Sequence, residues 1–412
     1  MTKRLLADET ERQLFGLFRL YRRVLPGVLG LLLILSGCGG GGGGGGGGSS
    51  SGPPAVYANQ VVVSLLSGEW NIPTVSVTLC VPGSSTCQTI DNILLDTGSV
   101  GLRISHSVLT IPLPAVTDRG SDVYECYKFG SGDTFGSVSS ADVTLGSEPA
   151  VAVDVQISNH TLSSPSSCSP STITTAGVNG ILGVGYPFAQ YDAGTYYTCP
   201  SSGCPSTTSS LSCSNSTNGS FPCQVANPVF SFPSDNNGVL LAMDSVSASG
   251  AASPVYGVLT FGIGTQSDNS LSGLTTYTVS SSNTCGSSYS YIDASFTGGA
   301  SGSCGFLDSG SNGLFFGTGA FPLCGSGNSW YCPSPSPGTI SLTLTGANGN
   351  QRSFSLSILS ENTISMSNDI GWNDLAGPYS SNRTFDAGLP FFFGRTVAVG
   401  YQTGGQTPFW AF

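Results

Sequence analysis

The sequence predicts an all-β protein built as two related lobes, and three observations carry that prediction. Only 8% of the 412 residues are charged, whereas 58 are glycine and 24 proline, a composition rich in turns. Short apolar runs of β type follow one another between turn residues, and long runs of helical period are scarce. A twelve-residue stretch also occurs twice, as ILLDTGSVGLRI at 93–104 and GFLDSGSNGLFF at 305–316, identical at six of twelve positions. Their aspartates, Asp96 and Asp308, are 212 residues apart, a spacing that fits two lobes rather than a short-period solenoid. With 39% apolar residues the chain can fill real cores.

Residues 1–37 read as an export signal. A basic region ends at Tyr21-Arg22-Arg23 and precedes VLPGVLGLLLIL. That run is about a dozen residues, short of the roughly twenty a spanning helix needs. An uncleaved anchor or a buried segment is the alternative. Leu35-Ser36-Gly37-Cys38 resembles the bacterial lipobox, which implies lipidation of Cys38 and attachment to a membrane. Gly39 rather than aspartate follows, which by resemblance to bacterial sorting implies an exported lipoprotein of the outer membrane, facing the periplasm or the exterior. Residues 38–55, with Gly39 to Gly48 and then SSSGPP, form a tether with a reach of roughly 20 to 25 Å.

Beyond residue 23 the chain holds six basic residues and twenty acidic ones, a balance of −14 by subtraction. Such a surface repels nucleic acid, and a monomer is expected. Setting Cys38 aside, the 13 cysteines leave twelve, enough for six disulfides in an oxidising compartment. Neighbours that could close small loops are Cys80 with Cys87, Cys199 with Cys204, Cys213 with Cys223, and Cys324 with Cys332, although spacing alone cannot fix connectivity. No C-x-x-C pair exists and both histidines lie far from the cysteines, so neither a metal nor a cofactor is expected.

The first lobe is expected over 56–248 and the second over 249–412. Strands are expected at NQVVVSLL, TVSVTLCV, ADVTLG and AVAVDVQIS in the first, then at GVLTFG, LTTYTV, GTISLTLTG, RSFSLSIL and RTVAVGY. Stretches near 192–225 and 280–303 read as surface loops stapled by disulfides.

An aspartate ending a buried strand needs hydrogen bonds to offset its desolvation. Thr97 and Ser99 in one copy, and Ser309 and Ser311 in the other, are candidate donors, with Gly98 and Gly310 allowing a tight turn. Two carboxyls brought face to face cannot both ionise freely and share a proton. One can then act as base towards a water while the other donates a proton. A serine hydrolase would need His106 or His160 as base, and the sole G-x-S-x-G, at 48–52, lies in the tether, away from any strand-to-helix turn.

These motifs resemble the pepsin-like aspartic peptidases, which are all-β and bilobal with one D-[TS]-G-[ST] per lobe, and the resemblance implies a cleft between the two related lobes. Phe129-Gly130-Ser131-Gly132, with Gly136 and ADVTLG after it, resembles the flap hairpin. Asn179 to Pro187, reading NGILGVGYP, resembles the segment in which an apolar-apolar-glycine, here Ile181-Leu182-Gly183, backs the first aspartate. Pro228 to Phe232 resembles the strand that follows. Phe392-Phe393-Gly394 is expected to back the second aspartate. The likeness covers roughly residues 57 to 412, and GLPFFFGRTVAVG with LDSGSNGLFF is similar more narrowly to the bacterial DUF3443 family. It differs from the pepsin-like pattern at Phe129, commonly tyrosine, at Arg103, commonly tryptophan, and at Arg395, commonly aspartate. The resemblance implies an endopeptidase acting on a peptide or protein through Asp96 and Asp308, or alternatively an inactive envelope binding protein of the same fold.

Overall fold

A computed structural model describes residues 52–171, 177–185, 190–211, 225–279, 291–317, 319, 321–325 and 330–412. The expected signal segment, Cys38, the ten-glycine run, Tyr186-Pro187 and the Cys213–Cys223 pair lie outside the described residues. No helix among the described residues is long and apolar enough to cross a membrane.

Strands form where the β-type runs predicted them. In Gln60–Leu65 the residues Val61, Val63 and Leu65 point into the core, and in Gly338–Thr345 the residues Ile340, Leu342 and Leu344 do the same, with hydroxyl residues between them. A two-residue period puts alternate side chains on opposite faces. Burying each such aliphatic side chain contributes roughly 1.5–3 kcal/mol. Val100–Ser105 and Gly180–Val184 are buried at every position, as interior strands covered on both faces.

The larger sheet starts at Thr195–Cys199 and passes through Ser121–Phe129, Gly132–Thr144, Val151–Ser158, Val100–Ser105, Gly180–Val184 and Cys87–Asp96. It continues through Pro73–Cys80, Gln60–Leu65, Tyr256–Phe261, Gly238–Met243, Thr396–Gly400, Phe409–Ala411 and Thr276–Thr278. Gln60–Leu65 pairs antiparallel with Tyr256–Phe261, so backbone hydrogen bonds join the chain on either side of residue 248. The smaller sheet orders Gln351–Ile358, Gly338–Thr345, Ile292–Phe296, Ser303–Asp308, Thr384–Gly388, Leu314–Phe316 and Ala376–Gly377.

One arrangement appears in both sheets. Cys87–Asp96 runs parallel to Gly180–Val184, which pairs antiparallel with Val100–Ser105, the strand just after the Asp96 loop. Ser303–Asp308 runs parallel to Thr384–Gly388, which pairs antiparallel with Leu314–Phe316. Asp96 stands opposite Gly183 and Asp308 opposite Gly388.

That register corrects one expectation. The counterpart of Ile181-Leu182-Gly183 is Asp386-Ala387-Gly388, not Phe392-Phe393-Gly394. After Gly388 the chain enters the 3-10 turn Leu389–Phe391. Phe392 and Phe393 are core residues, and Gly394, with φ of 69°, donates to the Met243 and Asp244 carbonyls. Two glycines six residues apart compete for the role, and the acid at Asp386 disguises the correct one. Pro228–Ser231 is likewise a 3-10 turn rather than a strand, because Pro228 fixes its first φ and the Asn227 side chain accepts from Val229 N–H at 3.0 Å.

Cys80–Cys87, Cys199–Cys204 and Cys324–Cys332 pair as the small-loop spacing suggested. Cys126–Cys168 closes a much longer loop that spacing could not reveal, and Cys304 is also disulfide-bonded.

Candidate active site

Both aspartates end their strands inside the molecule, and each is held by its own loop. Gly98 N–H donates to Asp96 Oδ1 at 2.7 Å, and Ser99 Oγ donates to Asp96 Oδ2 at 2.5 Å. Gly310 N–H donates to Asp308 Oδ1 at 2.8 Å, and Ser311 Oγ lies 2.8 Å from Asp308 Oδ2. The two nests are the same construction made from the two copies of the repeat.

Thr97 and Ser309 do something else. Sequence reasoning offered them as donors to the neighbouring carboxylates, but they cross between the two loops. Thr97 N–H donates to Ser309 Oγ at 3.0 Å, and Ser309 Oγ donates to the Leu95 carbonyl at 2.8 Å. Reciprocally, Ser309 N–H donates to Thr97 Oγ1 at 2.9 Å, and Thr97 Oγ1 donates to the Leu307 carbonyl at 3.0 Å. All four bonds are buried, where an unmade partner costs about 1–3 kcal/mol.

The glycines follow from this crossing. A Cβ built on Gly98 would stand 2.4 Å from the Asp308 carboxyl carbon, and one on Gly310 would stand 2.7 Å from that of Asp96. Each carboxyl lies over the other loop's glycine, so close approach, rather than a positive φ, excludes a side chain there. Burial, then the charge of Asp308 and a hydrogen bond between the two carboxyls, raise the Asp96 pKa well above its usual value, against the bonds from Ser99 and Gly98.

A third carboxyl adjoins the pair. Ser311 Oγ is 2.7 Å from Asp386 Oδ2 as well as 2.8 Å from Asp308 Oδ2. Burial first, then the charge of Asp308, push the Asp386 pKa well above the ordinary carboxylate range. The sequence signal for it was an acid in TFDAG, two residues before the glycine opposite Asp308.

The predicted flap residues form a hairpin tip. Ser121–Phe129 pairs with Gly132–Thr144, Phe129 stands opposite Gly132, and Gly130 and Ser131 are exposed at the turn. Hydrogen bonds to the two dyad carboxylates from backbone and hydroxyl groups come from Gly98, Ser99, Gly310 and Ser311, not from this tip. The hairpin residue that feels Asp96 is Tyr127: burial raises its pKa most, the Arg103 charge opposes, and Asp192 and Asp96 add to the rise.

Arg103 explains why Tyr127 sits there. Its guanidinium is fully buried, lies 3.8 Å from the centre of the Tyr127 ring, and donates to the Val100 carbonyl at 2.8 Å. It pairs with Glu125 at 2.8 Å and with Asp192. Tyr196 donates to Asp192 at 2.6 Å, and Gln156 donates to the Glu125 carbonyl at 3.1 Å. Burial, with Asp192 alongside and Arg103 opposing, raises the Glu125 pKa well above normal. In a chain with so few cations, an arginine in the apolar run after the Asp96 loop was the available signal; its partner Asp192 is 89 residues away and was not legible. One other cluster of ligand-type side chains among the described residues, Cys126, Asp133 and Cys168, has both sulfurs in a disulfide and does not fit a metal ion.

Comparison with known proteins agrees with this geometry. The model of a family described as a protein of unknown function, DUF3443, matches residues 55–412. No curated protein matches the sequence. Among solved structures, the aspartic proteinase from Irpex lacteus is similar at a TM-score of 0.55 and 18% identity, covering 85% of this chain and 96% of that chain. The fold is therefore pepsin-like.

Two outcomes follow for stability. Arg103→Met leaves Glu125 and Asp192 buried without a cation, and should cost on the order of 3–5 kcal/mol in denaturant unfolding; a loss within experimental error contradicts this role. Burial and Asp235 push the Glu148 pKa up to about 7, and burial pushes that of Asp374 up to about 6. Folded-state values above the unfolded ones mean tighter proton binding when folded. Their contribution is complete below the unfolded values of 4.5 and 3.8 and is lost as pH rises through about 6 to 7. Unfolding free energy measured by denaturant should therefore fall from about pH 5 to about pH 8, and a rise across that range contradicts the assignment.

Proposed function

The chain belongs to the DUF3443 family, and from that premise we propose that it is an aspartic endopeptidase, hydrolysing peptide bonds with a water activated between Asp96 and Asp308. The observation that carries the reading is the crossed bonding of Thr97 and Ser309, which seats each carboxyl over the opposite loop's glycine. Two carboxyls so placed hold one proton between them. The ionised member takes a proton from the water, whose oxygen attacks the peptide carbonyl, while the protonated member gives its proton to the carbonyl oxygen. The resulting tetrahedral diol collapses as the carboxyl that took the water's proton gives it to the amide nitrogen, the other carboxylate takes a proton from a diol hydroxyl and the C–N bond breaks, which restores the pair with no covalent enzyme intermediate.

The same proposal places the enzyme in a bacterial envelope, as an exported lipoprotein held by lipid on Cys38 and spaced from the membrane by the glycine tether. Lipobox-like residues 35–38 and the tether composition support that placement.

Purified protein should cleave members of a peptide library at acidic to neutral pH, and a statine-type transition-state analogue should block cleavage. Asp96→Asn or Asp308→Asn should lower kcat/KM by roughly 10²–10⁴-fold or more. Cleavage that survives both substitutions overturns the mechanism. A library left uncut, with peptide binding retained in Asp96→Asn, means that the fold serves binding instead. Palmitate labelling that persists in Cys38→Ala removes the anchor from the proposal.

A further inference from the structure

Ser311 Oγ carries one hydrogen but lies within hydrogen-bonding distance of two carboxyl oxygens, Asp308 Oδ2 at 2.8 Å and Asp386 Oδ2 at 2.7 Å. It can donate to one of them only. The other contact needs a proton from the carboxyl side, so at least one of these two acids is protonated whenever both contacts are hydrogen bonds.

Burial decides which. Asp386 is 4% exposed, and its second oxygen, Oδ1, is buried with no hydrogen-bond partner. An ionised carboxylate would leave part of its charge on that oxygen, at a large desolvation cost; a neutral acid leaves only a carbonyl-type oxygen there. Asp308 is less buried, and its Oδ1 accepts from Gly310 N–H at 2.8 Å, so its charge is better accommodated.

We infer that Asp386 is a positioning residue, a neutral third carboxyl that donates to Ser311 so that Ser311 donates to Asp308. Asp308 then keeps a hydroxyl donor matching the one Ser99 gives Asp96, and as the less buried acid it is the ionised member of the pair, while the buried Asp96 holds the shared proton. This inference rests on the peptidase reading for its catalytic meaning, though not for the protonation states themselves. It assigns Asp308 as the base towards the water and Asp96 as the acid towards the peptide carbonyl, breaking the near-symmetry of the two loops.

The groups around Asp386 agree with neutrality. The strands on either side place Phe306 and Phe315 opposite it, neither of which titrates. Among the described residues the charged groups acting on it are Asp308 and Asp96, both acidic, with no cation opposing them. Together with burial these raise its proton affinity, against the single bond to Ser311.

Replacing Asp386 by an amide and by alanine separates a neutral donor from a charge. In Asp386→Asn the amide can still donate to Ser311, and in Asp386→Ala the Ser311 hydroxyl keeps Asp308 as its acceptor, so with a neutral Asp386 the acid limb of the kcat/KM pH profile should stay within about 0.3 pH unit of wild type in both variants. If Asp386 is charged, Asp386→Asn removes a negative charge beside Asp308 and should instead move the acid limb down, which overturns the inference. Infrared difference spectra at about pH 6 read the carboxyls directly and need no activity. Wild type minus Asp386→Asn should show a protonated-carboxyl band and no carboxylate band. A carboxylate band in that difference overturns the inference. Should the wild type cleave no peptide, the peptidase proposal falls while these spectra still decide whether Asp386 is protonated.

Discussion

The site depends on the exchange of hydrogen bonds between Thr97 and Ser309. Each side chain satisfies the other loop's backbone, accepting from an N–H and donating to the carbonyl of the residue before the opposite aspartate. These four bonds are buried, so the alternative to making them is an unsatisfied backbone group, not a bond to water. They fix the two loops in contact, and the contact is what forces two acids together. Surface ion pairs could not hold like charges at this range, because screened pairs contribute only about 0–1 kcal/mol each.

Other features follow from holding the acids there. The positions facing the opposite carboxyl must be glycine, and both are. Each carboxylate receives one N–H and one hydroxyl from its own loop, which supports the ionised form without fixing which acid carries the charge. Asp386 supplies the asymmetry that the duplicated loops lack. On the first-lobe side, Arg103 ties the strand after the Asp96 loop to the hairpin, through Glu125 and the face of Tyr127. An arginine in place of an aromatic residue is thus compatible with an ordered hairpin, since its charge is matched by Glu125 and Asp192.

Much of the fold was legible because local pattern and global arrangement agree. Alternation in QVVVSL and TISLTLT marks strands with one buried face, and the repeated aspartate stretch announces two similar substructures. The nests of Ser99 and Ser311 were legible because they are made within four residues. The roles of Thr97 and Ser309 were not, since a hydroxyl next to its predicted target bonds instead to a segment more than 200 residues away. Phe392-Phe393-Gly394 matched a pattern of residue types, while the position opposite Asp308 is fixed by strand register and falls on Gly388. Register is a tertiary property that residue types alone left undecided between two nearby glycines. Asp386 escaped for a related reason: an acid in an apolar strand looks like an exposed residue until its buried neighbours are known.

The central claim is that the crossed loops make Asp96 and Asp308 one titrating unit. Carbon-13 NMR of the two labelled aspartate carboxyls across pH measures this directly. The account predicts two proton-loss steps separated by more than about one pH unit, with the upper step lost when either aspartate is replaced by asparagine. Both carboxyls titrating together as independent groups near the ordinary value of about 3.9 would contradict it.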